Sequence, residues 1–358
     1  MTKITGPKDI RVLWLEDDDE FYADGAEIVQ LFNEDREIKI IIERAKTIED
    51  AVTNSRNGFS YALIDLRIGT DGDAGRKVIE GIKTTIKLPI IIYTGTPGGY
   101  DAGMPILKVH VKGESTMVEV LETIHAVSKT GLDQLLSEGG QMDSLLREVF
   151  WKTICPQIDT WIKYSTTEKY NKEVMLRYVV ANLVDRIKLE TPHYMPMEFY
   201  VIQIDNTPKT GLLIRDSGGN GFIILSPACD LAIRADGSVN TDSILLAAIE
   251  PLEEKHRQHF STSSTWSDLS RDVQSRVEEL SRNKNSMFRH FLPKANGIDH
   301  GTINFRKLSN VSPSNFKDEF SSCGLRVSPE FMKDISARFS SYYGRQGQPE
   351  LHCSAWFA

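Results

Sequence analysis

The chain has 358 residues, 40% apolar and 26% charged, a composition that excludes a mainly disordered, collagen-like or coiled-coil protein and predicts two or three domains at roughly 150 residues each. Its longest purely apolar runs, such as Ile40-Ile41-Ile42 and Ile90-Ile91-Ile92, fall far below the ~20 residues of a spanning helix; Met1 to Lys8 lacks the apolar core of a secretory signal, so the expected location is the cytosol, with no membrane partner. The net charge of −8 is uneven: residues 1–127 hold 15 Lys+Arg against 22 Asp+Glu, an acidic third that repels phosphate polymers unless a cation intervenes, and the shift marks a boundary near residue 128.

The first third alternates. Ile10 to Leu15 reads as a buried strand, followed by a helix carrying Phe21, Ile28, Leu31 and Phe32. Ile38 to Ile42 is a second strand and Ile48 to Arg56 a short helix closed by Asn57-Gly58. Tyr61 to Ile64 is a third strand ending at Asp65, and Ala74 to Lys87 a helix with Val78, Ile79 and Ile82 apolar. Pro89 to Tyr93 and Ile106 to Val111 are the fourth and fifth strands, and Ser115 to Val127 the closing helix. Short apolar strands alternating with helices predict a doubly wound, five-stranded parallel sheet covered on both faces.

Two helical patterns follow, Met142 to Ile154 and Glu173 to Leu189, read as a connector, a dimerisation pair or cover for the last domain. From Glu198 the pattern turns to strands: Phe199 to Ile204, Thr210 to Ile214, Gly221 to Leu225 and Ile244 to Ile249. Helices are expected over Asp268 to Arg282 and, with proline in its first turn, Pro329 to Tyr343. The expected organisation is an α/β domain over 1–128, a helical connector over 129–192 and an α+β domain over 193–358.

The reactive edge of an open parallel sheet lies at the carboxyl ends of its strands. There the sequence sets Glu16, Asp17, Asp18 and Asp19 after the first strand, Asp65 after the third, Thr94 and Gly95 after the fourth, and Lys112 after the fifth. Carboxylates brought within a few ångströms repel by roughly 4 kcal/mol per pair at an effective dielectric near 20. They must share a proton or a cation. Oxygen donors of this kind suit Mg²⁺, which would offset the charge of an incoming phosphoryl group. Asp65 can then act as nucleophile, giving an acyl phosphate, while Thr94 and Lys112 can each contact a phosphoryl oxygen once it has arrived. An Asp-x-Asp metal motif fails at Asp65-Leu66-Arg67, and Asp-x-Asp-x-Thr fails at Asp17 to Phe21. Asp71 and Asp73 read as a solvated loop.

On these segments (Val12 to Asp18, Ala62 to Arg67, Ile90 to Gly95, Val109 to Lys112) residues 10–127 resemble the receiver domain of two-component response regulators, which has a flavodoxin-like fold. The resemblance implies that Asp65 is the phospho-acceptor, that Glu16, Asp17, Asp65 and the backbone carbonyl of Arg67 hold Mg²⁺, that Thr94 is the switch hydroxyl and Lys112 the phosphate-pairing lysine. It implies a sensor histidine kinase or another phosphodonor as partner, and an output domain. Gly113 stands where the family usually has proline, Val109 and His110 stand near its switch aromatic, and Pro97-Gly98-Gly99 is poor helix material.

The remainder carries weaker signals. None of the four cysteines (Cys155, Cys229, Cys323, Cys353) forms a CxxC pair, so reduced thiols are expected. Ser226 to Leu231 follows a strand; Cys229 and Asp230 there could join Cys323, His352 or Cys353 at a metal, or be buried small residues and a turn cap. Arg289, His290, Arg338, Tyr342, Tyr343 and Arg345 could form a basic aromatic surface for nucleic acid, against the reading that the last helix's apolar stripe is core. Glu253 to Gln258, with His256 and His259, reads as a solvated helix face. The reading is thus a receiver-like switch controlling a C-terminal output domain. The alternatives are a receiver-gated or metal-binding effector enzyme, or a non-catalytic adaptor.

Overall fold

A computed structural model describes residues 9–69, 71–99, 106–137, 139–187, 193–205, 207–234, 237–260, 265–284, 286–345, 350, 352, 354 and 356. The chain divides into two compact units, 1–188 and 189–358.

The first unit opens with β1 (Ile10–Leu15), α1 (Asp19–Asn33), β2 (Ile40–Ala45), α2 (Ile48–Asn54), β3 (Tyr61–Ile64), α3 (Ala74–Thr85), β4 (Ile90–Thr94), a 3-10 turn (Pro97–Gly99), β5 (Lys108–Val111) and α4 (Met117–Ser128). The strands form one parallel sheet in the order β2-β1-β3-β4-β5, the flavodoxin-like doubly wound order. The expected parallel sheet is therefore present. β3 and β4 are buried along their whole length, the pattern of strands covered on both faces. One face packs Trp14, Tyr61, Leu63 and Ile91 beneath α1 and α4. The other packs Leu13, Ile64 and Ile92 against Ala51 of α2 and Val78, Ile79 and Ile82 of α3.

Local chemistry sets where the helices begin. Asp18 caps α1, its carboxylate accepting the Glu20 and Phe21 amides at 3.0 Å. Thr47 caps α2, and Thr116 with Glu119 closes a capping box on α4. α3 runs so close to the end of β3 that a Cβ on Gly75 would sit 2.5 Å from Leu66 Cα and 2.7 Å from the Asp65 carbonyl oxygen; only glycine fits there.

The unit continues through α5 (Leu132–Leu136), α6 (Gln141–Val149), a π turn (Phe150–Ile154), a 3-10 turn (Cys155–Gln157), α7 (Ile158–Lys163) and α8 (Glu168–Arg186). α6 and α8 pack as two arms of a hairpin. Trp161 meets Tyr178 edge-on at 5.2 Å, Gln157 donates to Tyr178 Oη at 3.1 Å, and Arg186 bonds Thr153.

The second unit is α+β, as expected. Its elements are β6 (Tyr200–Ile202), β7 (Leu212–Asp216), β8 (Gly221–Ile224), β9 (Ile244–Pro251), α9 (Glu254–Arg257), α10 (Arg271–Ser281), β10 (Arg289–Leu292), β11 (Gly301–Val311), α11 (Phe316–Glu319), β12 (Phe320–Val327) and α12 (Pro329–Tyr343). Seven strands pair antiparallel in the order β10-β11-β9-β8-β7-β12-β6. α12 lays Met332 and Ile335 on a core of Phe199, Leu213, Ile223, Leu292 and Phe305. β10, β11 and β12 are strands beyond those expected from the sequence. Met142 to Ile154 proves to be an α-helix that widens to a π turn at Phe150, and the second connector helix starts earlier than expected, at Glu168.

Candidate functional site: an acidic cup bridged by a lysine

The carboxyl ends of β1, β3, β4 and β5 converge. Glu16 follows β1 and is 1% exposed; Asp65 follows β3 and is 7% exposed; Thr94 ends β4 and has no exposed surface. The Thr94 hydroxyl donates to Asp65 Oδ1 at 2.7 Å, and the Arg67 amide approaches the same oxygen at 3.2 Å. Lys112, after β5, places its ammonium 2.6 Å from Asp65 Oδ2 and 2.6 Å from Glu16 Oε2. So the carboxylates do share a cation, and in this structure it is the lysine's own. The Lys112 amide bonds the Thr94 carbonyl at 2.8 Å, and Gly113 then turns at φ +91°, a conformation that favours glycine. That turn is built here where the family carries proline.

One ammonium faces two carboxylates, and Glu16 and Lys112 are both shifted from their ordinary values. Burial pushes Glu16 above the usual carboxylate range, against the lowering effect of its bond to Lys112. Burial also opposes the charge on Lys112, but its hydrogen bonds to Asp65 and Glu16 outweigh that cost and hold it above the ordinary lysine value.

The other acids near β1 have different work. Asp18 is the α1 cap. Asp19 is exposed and pairs with Arg44 and Lys46, at 2.5 Å each. Asp17 accepts the Gly69 amide at 2.6 Å. Asp71 pairs with Lys77 at 2.6 Å in the loop before α3, outside the cup as expected. The oxygen chemistry of Glu16, Asp17, Asp65 and the Arg67 carbonyl fits a hard divalent ion. As the side chains stand, however, Lys112 and the Gly69 amide engage these carboxylates, and among the described residues no three acidic, histidine or cysteine side chains gather as a metal-holding set.

Two participants were not singled out from the sequence. Phe21, on α1, lies with its ring centroid 4.1 Å from Lys112 Nζ, closing one side of the cup and meeting Tyr93 at 5.7 Å. Arg44 donates to the Glu16 carbonyl at 2.8 Å while pairing with Asp19. Phe21 reads in sequence as an apolar helix position, and a ring over an ammonium leaves no spacing signal. His110, beside the family's aromatic position, is buried on Thr123 at 3.0 Å, and burial pushes its pKa down.

In the second unit the candidate residues do not converge. Cys229 is exposed, with Sγ 3.5 Å from Asp230 Oδ1. Cys323 is half-buried on β12, and His352 bonds Ser354 at 3.0 Å. Cys353 lies outside the described residues, and among those described no metal cluster forms. Ser226 has a structural task, accepting the Leu245 amide at 2.7 Å. Of the basic and aromatic candidates, Arg345 lies over the Tyr342 ring at 4.4 Å, but His290 and Arg338 are held by structural contacts. His290 is buried against Asp334 at 3.0 Å, and Arg338 spends its guanidinium on the carbonyls of Asn283, Ser286 and Arg289. A cavity of about 440 Å³ lies in this unit over Leu252, Leu280 and Phe291. Of the charges at its rim, Glu253 is paired with Lys255 and Arg289. It belongs to a different unit from Asp65.

A parallel sheet in this order is a flavodoxin-like doubly wound domain, and it gathers a buried carboxylate, a hydroxyl and an ammonium at its strand ends. No protein-family model matches the chain, and no curated protein matches it. Among solved structures, the N-terminal third is similar to response regulator receiver domains. The N-terminal domain of a response regulator/sensory box/GGDEF protein from Carboxydothermus hydrogenoformans is 22% identical, covering 33% of this chain and 91% of that one at a TM-score of 0.27. A receiver domain (CheY-like) from Methylobacillus flagellatus is 13% identical, covering 32% and 98%, TM-score 0.27. The receiver domain of the Francisella response regulator 1452 is 17% identical, covering 34% and 99%, TM-score 0.28. No helix among the described residues is long and apolar enough to cross a membrane.

Proposed function

We propose that this chain is a response-regulator-like signalling protein, phosphorylated on Asp65 to control an output unit at about 193–358. The observation that carries this reading is the set of contacts on one buried carboxylate: Thr94 at 2.7 Å on one oxygen and Lys112 at 2.6 Å on the other. Asp65 Oδ attacks the phosphorus of a histidine kinase's phospho-imidazole or of a small acyl phosphate. The new O–P bond forms as the bond to the leaving imidazole or carboxylate breaks, giving an acyl phosphate. Mg²⁺, held by Glu16, Asp17, Asp65 and the Arg67 carbonyl, would supply charge neutralisation for the transferring group. The residues' own part is a change of partners. Lys112 leaves Asp65 Oδ2 for a phosphoryl oxygen, and the Thr94 hydroxyl turns from Oδ1 to another.

That exchange moves β4 and β5 because both groups are held by backbone at the strand ends: the Lys112 amide is bonded to the Thr94 carbonyl. Moving a population from 1:99 to 99:1 takes roughly 5.5 kcal/mol of preference for the active form, within the reach of a few charge-assisted bonds. The test is Mg²⁺-dependent labelling of the full chain by acetyl phosphate. Labelling is expected in the wild type and lost in Asp65→Asn; labelling that persists in the variant rejects Asp65 as the acceptor.

A further inference from the structure

α8 is 19 residues long and buries none of them. One sector, with Met175, Tyr178, Val179 and Leu183, is half-buried along the hairpin. A second apolar stripe is bare: Leu176 is 64% exposed, Val180 49%, Val184 61% and Ile187 49%. The other arm repeats the pattern. α7 also buries no residue, and Leu146, Phe150, Ile158 and Ile162, spaced by fours and eights, are all 41% exposed or more. A helix rarely keeps such a face in water, since its stability comes from packing an amphipathic side rather than from propensity.

We infer that this hairpin, α6 to α8, is a homodimerisation element whose apolar face is covered by the same face of a second copy, forming a four-helix layer. Three observations single out a second copy as the occupant. On α8 the bare residues Leu176, Val180 and Val184 recur every fourth position, and such a ridge meshes with an identical ridge when two helices cross near −50°. A two-fold axis through Val180 then pairs Leu176 with the partner's Val184 and the reverse, the self-complementarity that an isologous contact requires. Next, residues 141–187 hold seven Lys+Arg and six Asp+Glu, whereas residues 1–127 carry −7. Two copies can meet at the hairpin without summing like charge. Finally, the eight residues named above and Trp151, 66% exposed, offer on the order of 900 Å² of exposed surface, judged from the 150–250 Å² an aromatic side chain covers and less for aliphatics. A stable interface takes ~800 Å² from each partner.

The inference stands apart from the chemistry at Asp65, and its test needs no phosphodonor. Sedimentation of the full chain should show a concentration-dependent dimer, with α8 amides more protected from hydrogen exchange at high concentration than at low. Val180→Glu and Leu176→Lys, both at exposed positions, should weaken dimerisation by roughly 100-fold each, since either buries an unpaired charge at the centre of the contact. Leu31→Glu, on the exposed side of α1, should leave it unchanged. A chain that stays monomeric at high concentration, including one whose α8 is protected because another part of the same chain covers it, overturns the inference. So does a dimer that survives Val180→Glu at wild-type strength.

Discussion

Lys112 neutralises two buried carboxylates with one charge, so its removal exposes what each was relying on. Breaking a buried ion pair from one side typically costs 3–5 kcal/mol. With Lys112 18% exposed at its side chain, Lys112→Met is expected to cost about 3 kcal/mol at pH 8. The loss should shrink near pH 5. Glu16 already binds its proton more tightly folded than unfolded, so in the window above pH 4.5, up to its raised value, stability falls as pH rises. Without the ammonium that window widens upward, and a protonated Glu16 sits beside Asp65 at little cost. Lys112 itself, raised above 10.5, gives stability that is complete below that pH and is lost only as pH climbs through its folded value. Urea titrations at pH 5 and pH 8 check this; an equal loss at both would mean Lys112 acts by packing alone. Thr94→Val should cost about 1–3 kcal/mol by leaving Asp65 Oδ1 short of a donor, and Thr94→Ser should recover most of it. Thermal melts of the two variants settle which.

At the scale of the element, Gly75 decides whether α3 can lie against the end of β3. A methyl group there meets backbone, which cannot swing aside, so Gly75→Ala should cost about 2 kcal/mol and displace Asp65. Acetyl phosphate labelling should fall with it. Thr116→Ala, which removes the capping box on α4 at a smaller cost of about 1 kcal/mol, should lower the melting temperature and leave labelling intact. Labelling lost in both would tie it to general stability instead. The contrast also explains what sequence could and could not reveal. The β1, β3 and β4 runs are apolar on both faces, and the acids stand directly at their ends, so sheet and cup are legible. β11 and β12 are not. A register shift between Asn304 and Leu308 breaks the alternation of the first, and the second shifts between Ser322 and Arg326, where Gly324 turns at φ +68°. β10 has only four residues, two of them Arg289 and His290. The Lys112 bridge was hidden for another reason: carboxylates in need of a cation look alike whether a metal or an ammonium supplies it.

On the whole-molecule scale, the two units carry separate cores, Trp14, Leu63, Ile64 and Ile92 in the first and Phe199, Ile223, Leu292 and Phe305 in the second. Each can therefore melt as its own transition, and a single midpoint for the full chain would misstate both. This separation gives the metal reading a sharp form. A ligand that binds only folded protein stabilises it by RT ln(1 + [L]/Kd), about 1.4 kcal/mol at tenfold excess over Kd. Mg²⁺ should raise the transition reported by Trp14 fluorescence and circular dichroism of the first unit, and leave that of the second where it was. The rise should vanish in Asp17→Asn, which removes an oxygen donor but not the Lys112 bridge. It should grow in Lys112→Met, because the ammonium and the ion compete for Glu16 and Asp65. If Mg²⁺ instead leaves Lys112→Met unmoved, the carboxylates have no affinity for the ion even when freed, and the cup is a structural ion pair.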